Sequence, residues 1–104
     1  PGFVTKADEL KTKGVDTIAC MAVNDVFVVD AWGKSANADD ILMLADGNAD
    51  YANALGLVLD GTGFGMGMRS QRFAMIVDDG IVTMLNVDEE GLDGSSAEAV
   101  LAAL

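Results

Sequence analysis

The sequence contains no histidine, one cysteine and one proline among its 104 residues. Without histidine, the chain by itself cannot form a Cys-His or Ser-His-Asp nucleophile system, or a histidine-ligated zinc site. One cysteine cannot close a disulfide within the chain, which excludes a secreted disulfide scaffold. No apolar run approaches the roughly 18 residues that a membrane-spanning helix needs, so we expect no membrane segment.

Basic residues are also scarce, with six lysines and arginines against 17 acidic residues and a net charge of -11. Such a surface repels nucleic acid and anionic lipid, so we set both aside as partners. The chain begins at Pro1 without a basic-then-apolar signal region. Both a processed protein and a fragment can begin in this way, and we expect a cytoplasmic protein.

The apolar pattern predicts alternating helices and strands. Gly14 suits the end of a first helix, Asn24 or Asp25 can cap another, and Asp79-Gly80 suits a two-residue hairpin turn. Ser95 and Glu98 have the spacing of a capping box. The predicted elements are helix 2–13, strand 15–23, helix 26–36, buried strand 41–45, helix 50–55, glycine-rich loop 61–68, strand 71–77, strand 81–87 and a final helix through 100–104.

This order indicates an α/β protein with a mixed sheet and flanking helices, in which the hairpin forms an antiparallel edge. Strand 15–23 is apolar on both faces, as in a strand that helices cover on both sides. No internal repeat, linker or low-complexity segment interrupts the chain. We therefore treat residues 1–104 as one domain.

The glycines at 61, 63, 65 and 67 invite comparison with a phosphate-binding loop. Such a loop lies between a strand and the N-terminus of a helix, whereas these glycines precede a strand and no Lys-Ser/Thr follows them. The acidic clusters fall in turns without calcium-loop spacing. The methionines are interpreted as residues that fill core and loop positions. We expect no cofactor and no metal site.

Three residues are candidates for chemistry. Cys20 lies in an apolar strand, where a cysteine behaves as a small hydrophobe unless a partner activates it. Arg69 and Arg72 flank the entry to a strand, and a guanidinium stays charged at any relevant pH. The two arginines are either surface ion-pair residues or anchors for an anion or thiolate.

Several stretches together resemble one family, the type II or peroxiredoxin-5-like branch of the peroxiredoxins, and the glycine-rich segment is similar to the bacterial form. The resemblance covers essentially the whole chain. It is carried by residues 1–3, 13–15, Ala19 to Val28 with its Val-Asn-Asp-x-Phe-Val motif, 31–33, 44–46, Arg72-Phe73-Ala74-Met75, 79–82 and 85–87.

The resemblance implies a thioredoxin-like fold and the thiol-dependent reduction of hydrogen peroxide and alkyl hydroperoxides, in antioxidant defence. In that family the peroxidatic cysteine lies in a Pro-x-x-x-Thr-x-x-Cys loop, which would come just before Pro1. We therefore expect a partial peroxiredoxin domain that lacks the N-terminal strands and the central strand. Alone, it should have little or no peroxidase activity, and it should fold poorly or repack.

By resemblance, Arg72 matches the active-site arginine that activates the thiolate and the peroxide. Cys20 matches the position of the resolving cysteine in plant-type members, but in animal-type members the cysteine there is not the resolving one. Gly94-Ser95-Ser96 has no thiol where animal-type members carry their resolving cysteine. Resolution by an external thiol, glutathione with glutaredoxin or thioredoxin, is the alternative. Arg69 is either a helper or a surface residue, and the family often forms homodimers.

Two further hypotheses stay open. The chain can be a non-catalytic thioredoxin-like module that acts through binding or dimerisation. It can also be a thiol oxidoreductase that uses Cys20, although the absence of a C-x-x-C motif disfavours this.

Overall fold

The computed structural model describes residues 2–89 and 91–104. The chain divides into two compact units: Pro1–Val15 with Gln71–Leu104, and Asp16–Ser70. The elements, in chain order, are α1 Gly2–Thr5, α2 Ala7–Thr12, β1 Ile18–Ala22, α3 Val26–Ser35, β2 Ile41–Ala45, α4 Asp50–Leu55, β3 Val58–Gly61, a 3₁₀ turn Thr62–Phe64, β4 Gly67–Ser70, β5 Arg72–Asp78, β6 Ile81–Asp88 and α5 Ala97–Ala103.

Hydrogen bonds join the strands in pairs. β1 and β2 are parallel, whereas β3 pairs with β4 and β5 pairs with β6 in antiparallel hairpins. The predicted mixture of parallel and antiparallel pairing is therefore confirmed. The single mixed sheet is not, because in the part of the chain that the structure describes the strands form three two-stranded ladders.

In the 16–70 unit, α3 connects the two parallel strands as a crossover helix. It begins where an Asp25 carboxylate oxygen accepts a hydrogen bond from the Val28 amide at 2.9 Å. Val29 and Gly33, one turn apart, are its buried residues. Gly33 lies against β2, where an added Cβ would come within 3.0 Å of Met43 Cγ. The absent side chain therefore sets how closely helix and strand approach.

A second small core forms around α4, where Val23, Ala49 and Ala52 are buried and Val58 packs against them. Ala49 is the residue before the helix, and its methyl side chain cannot accept a hydrogen bond from the first helix amides. Asp46 takes over this role, because its two carboxylate oxygens accept hydrogen bonds from the amides of Tyr51 (3.0 Å) and Ala52 (2.9 Å).

Three helices end in the same way, with a residue of positive φ just beyond the last turn. At α2 this residue is Gly14, with φ 100°. The amides of Gly14 and Val15 donate to the carbonyls of Lys11 and Leu10, which is the Schellman pattern. The same pattern of two bonds closes α3 at Asn37 and α4 at Gly56.

In the other unit, the β5–β6 hairpin turns at Asp79 and Gly80, with φ of 50° and 78°. Two consecutive positive φ values match the type I′ turn predicted for this dipeptide. The ladder contains one irregularity, because Ile76 faces Met84 whereas Val77 faces Val82. Thr83 is therefore an extra residue in β6 and forms a β-bulge.

The buried apolar side chains of this unit come mostly from its helices, at Ala7, Leu10, Ala97 and Val100, with Ala74 from β5. The predicted helix 2–13 is confirmed in extent but distorted at Lys6, which separates α1 from α2. Hydrogen bonds from Lys6 to Gly2 and from Leu10 to Lys6 continue across the distortion.

Three sequence predictions were wrong in detail. The glycine-rich stretch is not all loop, because Gly61 ends β3 and its last two residues, Gly67 and Met68, begin β4, which pairs with β3. β2 has the predicted bounds but is not buried, since Leu42 and Leu44 are 54% and 41% exposed. The helix cap is Ser96 and not Ser95: the Ser96 hydroxyl accepts from the Ala99 amide at 3.1 Å.

None of the helices in residues 2–89 and 91–104 has the length and apolar character to cross a bilayer.

Candidate functional site

Arg72 opens strand β5 and its side chain is exposed. Its partner in the β5–β6 ladder is Asp88, and residues directly opposite in an antiparallel pair extend from the same face. The Asp88 carboxylate is already engaged by the loop that follows it. It accepts hydrogen bonds from the Ser95 hydroxyl (2.6 Å) and from the amides of Asp93, Gly94 and Ser95 (2.9–3.0 Å).

These four donors favour the ionised form of Asp88. The Ser95 hydroxyl and the Asp93 and Ser95 amides together hold the pKa of Asp88 far below its usual value of 3.8. Ser95 itself is buried, at 3% exposure. Asn86 adds a further tie, because its amide nitrogen donates to the Gly94 carbonyl at 3.0 Å. The segment after β6 is thus fixed to the strand that lies beside Arg72.

Arg69 lies three residues earlier, in β4 of the other unit, and is half-buried. Its Nη2 donates a hydrogen bond to Oδ1 of Asn24 at 3.1 Å. This contact joins the β3–β4 hairpin to the turn between β1 and α3. Arg69 therefore has a structural partner, which the sequence did not predict. Local patterns cannot reveal a contact between residues 45 positions apart.

Cys20 occupies the middle of β1, opposite Met43 of β2, and is half-buried. It takes part in no disulfide. The structure therefore places the single thiol on a strand, as predicted, with part of its surface reachable from solvent. Cys20 and Arg72 belong to different units.

A shallow pocket of about 210 Å³ lies at the end of the β1–β2 pair, lined by Met21, Leu44, Ala45, Asp46 and Tyr51. Its one carboxylate, Asp46, already accepts two helix amides. Apart from the Tyr51 phenol, the side chains that line this pocket are apolar or, at Asp46, already hydrogen-bonded. Among the described residues, no group of three or more Cys, Asp or Glu is placed to hold a metal ion.

The architecture is that of an α/β thioredoxin-like protein, and comparisons with known proteins define the family. A family model described as Redoxin matches residues 1–101. Reduced Prx3 from Vibrio vulnificus, in a crystal structure with H2O2, is 57% identical with a TM-score of 0.96, over 100% of this chain and 68% of that one.

Plant proteins are similar over the whole chain. Peroxiredoxin-2E, chloroplastic, from Arabidopsis thaliana is 48% identical, with 100% of this chain and 46% of that protein covered. Peroxiredoxin-2B from the same plant is 49% identical, with 100% and 65% covered. The chain belongs to the redoxin family and, within it, to the peroxiredoxins. It spans about half to two thirds of the length of these plant relatives.

Proposed function

We propose that the protein is a thiol-dependent peroxidase that reduces hydrogen peroxide and alkyl hydroperoxides, with a role in antioxidant defence and redox homeostasis. The observation that carries this proposal is the similarity to Prx3 of Vibrio vulnificus, whose crystal structure was described in complex with H2O2. In this chemistry a thiolate attacks one peroxide oxygen and the O–O bond breaks. The products are a sulfenic acid and water or an alcohol, and a second thiol then reduces the sulfenic acid.

We assign Arg72 the role of activating thiolate and peroxide. Its exposed guanidinium sits at the start of β5, and it stays charged and offers a planar fork of donors. The carboxylate opposite it, Asp88, is held by Ser95 and three loop amides. Because the Asp88 carboxylate is hydrogen-bonded to its own loop, it competes less for the Arg72 guanidinium. This supports a role for Arg72 in binding an incoming anion or peroxide oxygen.

Cys20 is proposed as the resolving cysteine, with an external thiol as the competing route. Its half-buried position on β1 supports partial access for a reaction partner. Glutathione with glutaredoxin, or thioredoxin, would be the external reductant. If Cys20 is the resolving cysteine, Cys20→Ser should abolish disulfide formation during the reaction. If an external thiol resolves the sulfenic acid, Cys20→Ser should leave the turnover rate unchanged.

The test is consumption of H2O2 and of an alkyl hydroperoxide by the full-length gene product, beside the 104-residue chain. Arg72→Gln should lower kcat/KM by about 10²-fold or more, since it removes a charged donor from the transition state. Arg72→Lys should recover part of the loss, because lysine keeps the charge but not the fork. Arg69→Gln is the matched control and should leave activity within a few-fold. A full-length product that consumes neither peroxide would refute the proposal.

A second candidate is a non-catalytic module that acts through binding or dimerisation. The observation that favours it is the apolar surface, on which Phe27 and Phe64 are 82% and 83% exposed. Sedimentation of the full-length product would detect a homodimer. Association without any peroxide consumption would favour this function over the peroxidase.

We also propose a cytoplasmic location for the protein. Relatives such as Peroxiredoxin-2E carry a chloroplastic name, so fractionation of the source cells is the deciding measurement.

A further inference from the structure

The six methionines differ in how far their thioethers reach solvent. Met66 and Met68, both on the β3–β4 hairpin, are 55% and 47% exposed. The remaining methionines are half-buried, at positions 21, 43, 75 and 84. Two neighbouring methionine side chains on one hairpin are therefore exposed to solvent.

The hairpin backbone holds these two residues in place. The Met66 amide donates to the Gly61 carbonyl at 3.1 Å, and Met68 pairs with Asp60 across the ladder. Gly61 is buried beneath the base of Met66, since an added Cβ there would lie 3.2 Å from Met66 Cβ. The Cβ of Met66 is thus packed, while the side chain as a whole remains more than half exposed.

The half-buried methionines have close neighbours instead. A Cβ at Gly33 would lie 3.0 Å from Cγ and 3.7 Å from Sδ of Met43, so that helix α3 shields this thioether. The Sδ of Met84 accepts a hydrogen bond from the Asn86 side-chain amide at 3.7 Å. Met43 and Met84 therefore provide internal references for Met66 and Met68.

We propose that Met66 and Met68 are modification sites, oxidised to methionine sulfoxide by hydroperoxides. The sulfur lone pair attacks one peroxide oxygen, the O–O bond breaks and an S–O bond forms. The thioether loses two electrons, and the peroxide is reduced to water or, for an alkyl hydroperoxide, to the alcohol. The oxidant is the peroxide itself, so the modification does not depend on the peroxidase activity of the protein.

The modification changes the hairpin chemically. A sulfoxide is polar and chiral, whereas the thioether is apolar and flexible. Oxidation would therefore convert two of the exposed apolar side chains of this hairpin into hydrogen-bond acceptors close in sequence to Arg69. Methionine sulfoxide reductases reverse the change, so the site is a reversible one.

The experiment exposes the full-length gene product to H2O2 after its thiols have been blocked by alkylation, so that no thiol competes for the oxidant. Cleavage at lysine and arginine followed by tandem mass spectrometry gives an oxidation rate for each methionine, in buffer and in guanidinium chloride. In buffer, Met66 and Met68 should react close to their denatured rates. Met43 and Met84 should react at least about tenfold more slowly in buffer than in guanidinium chloride, because their thioethers become accessible only when the structure opens locally.

The proposal would be overturned if all four methionines were protected from oxidation to the same degree in buffer. It would also be overturned if Met43 and Met84 reacted in buffer as fast as in the denatured protein. A second measurement uses the double variant Met66→Leu with Met68→Leu, which conserves volume. It should lose the fast phase of oxidation, whereas Met43→Leu should keep it. A fast phase that persists in the double variant would also contradict the assignment, as would a product that methionine sulfoxide reductases fail to repair.

Discussion

The Ser95 hydroxyl lies 2.6 Å from Oδ2 of Asp88, and the amide of Ser95 donates to the same oxygen at 2.9 Å. The other carboxylate oxygen accepts from the Gly94 amide at 3.0 Å. One ionised side chain at the end of β6 thus satisfies several backbone donors of the segment that leads to α5. This carboxylate should therefore make the order of that segment sensitive to pH and to substitution.

Asp88→Asn should loosen the segment, because an amide group presents a donor where the loop needs an acceptor. The amides of Gly94 and Ser95 should exchange on the order of tenfold faster in hydrogen-exchange measurements. The matched control is Asp79→Asn in the exposed hairpin turn, which should leave these two amides unchanged. Unaltered exchange in Asp88→Asn would contradict the prediction.

The pH dependence follows from the lowered pKa of Asp88, which has its cause in the Ser95 hydroxyl and the loop amides. A carboxyl whose folded pKa is depressed contributes stability above its unfolded pKa and loses it as the pH falls toward the folded pKa. The free energy of unfolding, measured in urea, should thus decline below about pH 5. The difference between the parent chain and Asp88→Asn should narrow over that range. A constant difference from pH 7 to pH 3 would argue against this linkage.

Asp25→Ala should destabilise the protein by about 1 kcal/mol, since it removes the acceptor that caps α3 at the Val28 amide. Asp30→Ala in the same helix is the control. Asp30 forms an ion pair with Lys34 at 2.9 Å, but both side chains are more than half exposed, so the loss should stay below about 0.5 kcal/mol. Urea unfolding of both variants distinguishes the cap from the surface pair, and equal losses would refute the distinction.

Gly61→Ala should cost about 1–3 kcal/mol through overpacking. The new Cβ would lie 3.0 Å from the Gly67 carbonyl oxygen and 3.2 Å from Met66 Cβ, and the carbonyl belongs to the paired backbone. Gly63→Ala, two residues away, meets nothing within 4 Å and should change stability by no more than about 0.5 kcal/mol. Thermal melts of the two variants should therefore diverge.

Leu10→Ala should destabilise by about 2–5 kcal/mol, because Leu10 is 2% exposed and its truncation leaves a cavity. Leu92→Ala removes the same atoms from a side chain that is 61% exposed. Its effect should stay within about 0.5 kcal/mol. Comparable losses in denaturant unfolding would mean that α2 contributes little to the core of its unit.

Local signals in the sequence predicted the elements that local chemistry determines. Asp25 placed the start of α3, the apolar run 41–45 gave β2 with its bounds, and Asp79-Gly80 gave the I′ turn. The helix at 50–55 was also correct, with Gly56 at its end. In each case a cap, a turn residue or a short apolar run determines the structure within a few residues.

The errors arose where distant residues decide. The apolar residues of β2 predicted burial, but Leu42 and Leu44 are exposed, because composition alone does not say what covers a strand. The glycines of 61–67 predicted a loop, yet the first and last of them, Gly61 and Gly67, pair with each other in the β3–β4 ladder. The Ser95–Glu98 spacing predicted a capping box, but Asp88 engages Ser95 and moves the cap to Ser96.

The candidate site was predicted only in part. Cys20 lies on its predicted strand and Arg72 at the start of its own, and the roles assigned to them stay proposals. The Arg69–Asn24 hydrogen bond could not be predicted, since Asn24 was considered only as an alternative helix cap. The sequence pattern also gave no sign that Asp88, at the end of β6, anchors the segment 93–95, because these contacts depend on how that segment folds back.

The bulge at Thr83 bears on how this hairpin can change in length during evolution. Val82 and Met84 face Val77 and Ile76, two consecutive residues of β5, so the extra residue places their side chains on opposite faces of the ladder. A lineage that deleted Thr83 would regularise the ladder and leave Ile81 and Val82 on their present faces, because Val82 and Met84 would then be consecutive residues, which alternate in a regular strand. Length changes of one residue elsewhere in the hairpin would need a second compensating bulge to preserve its faces.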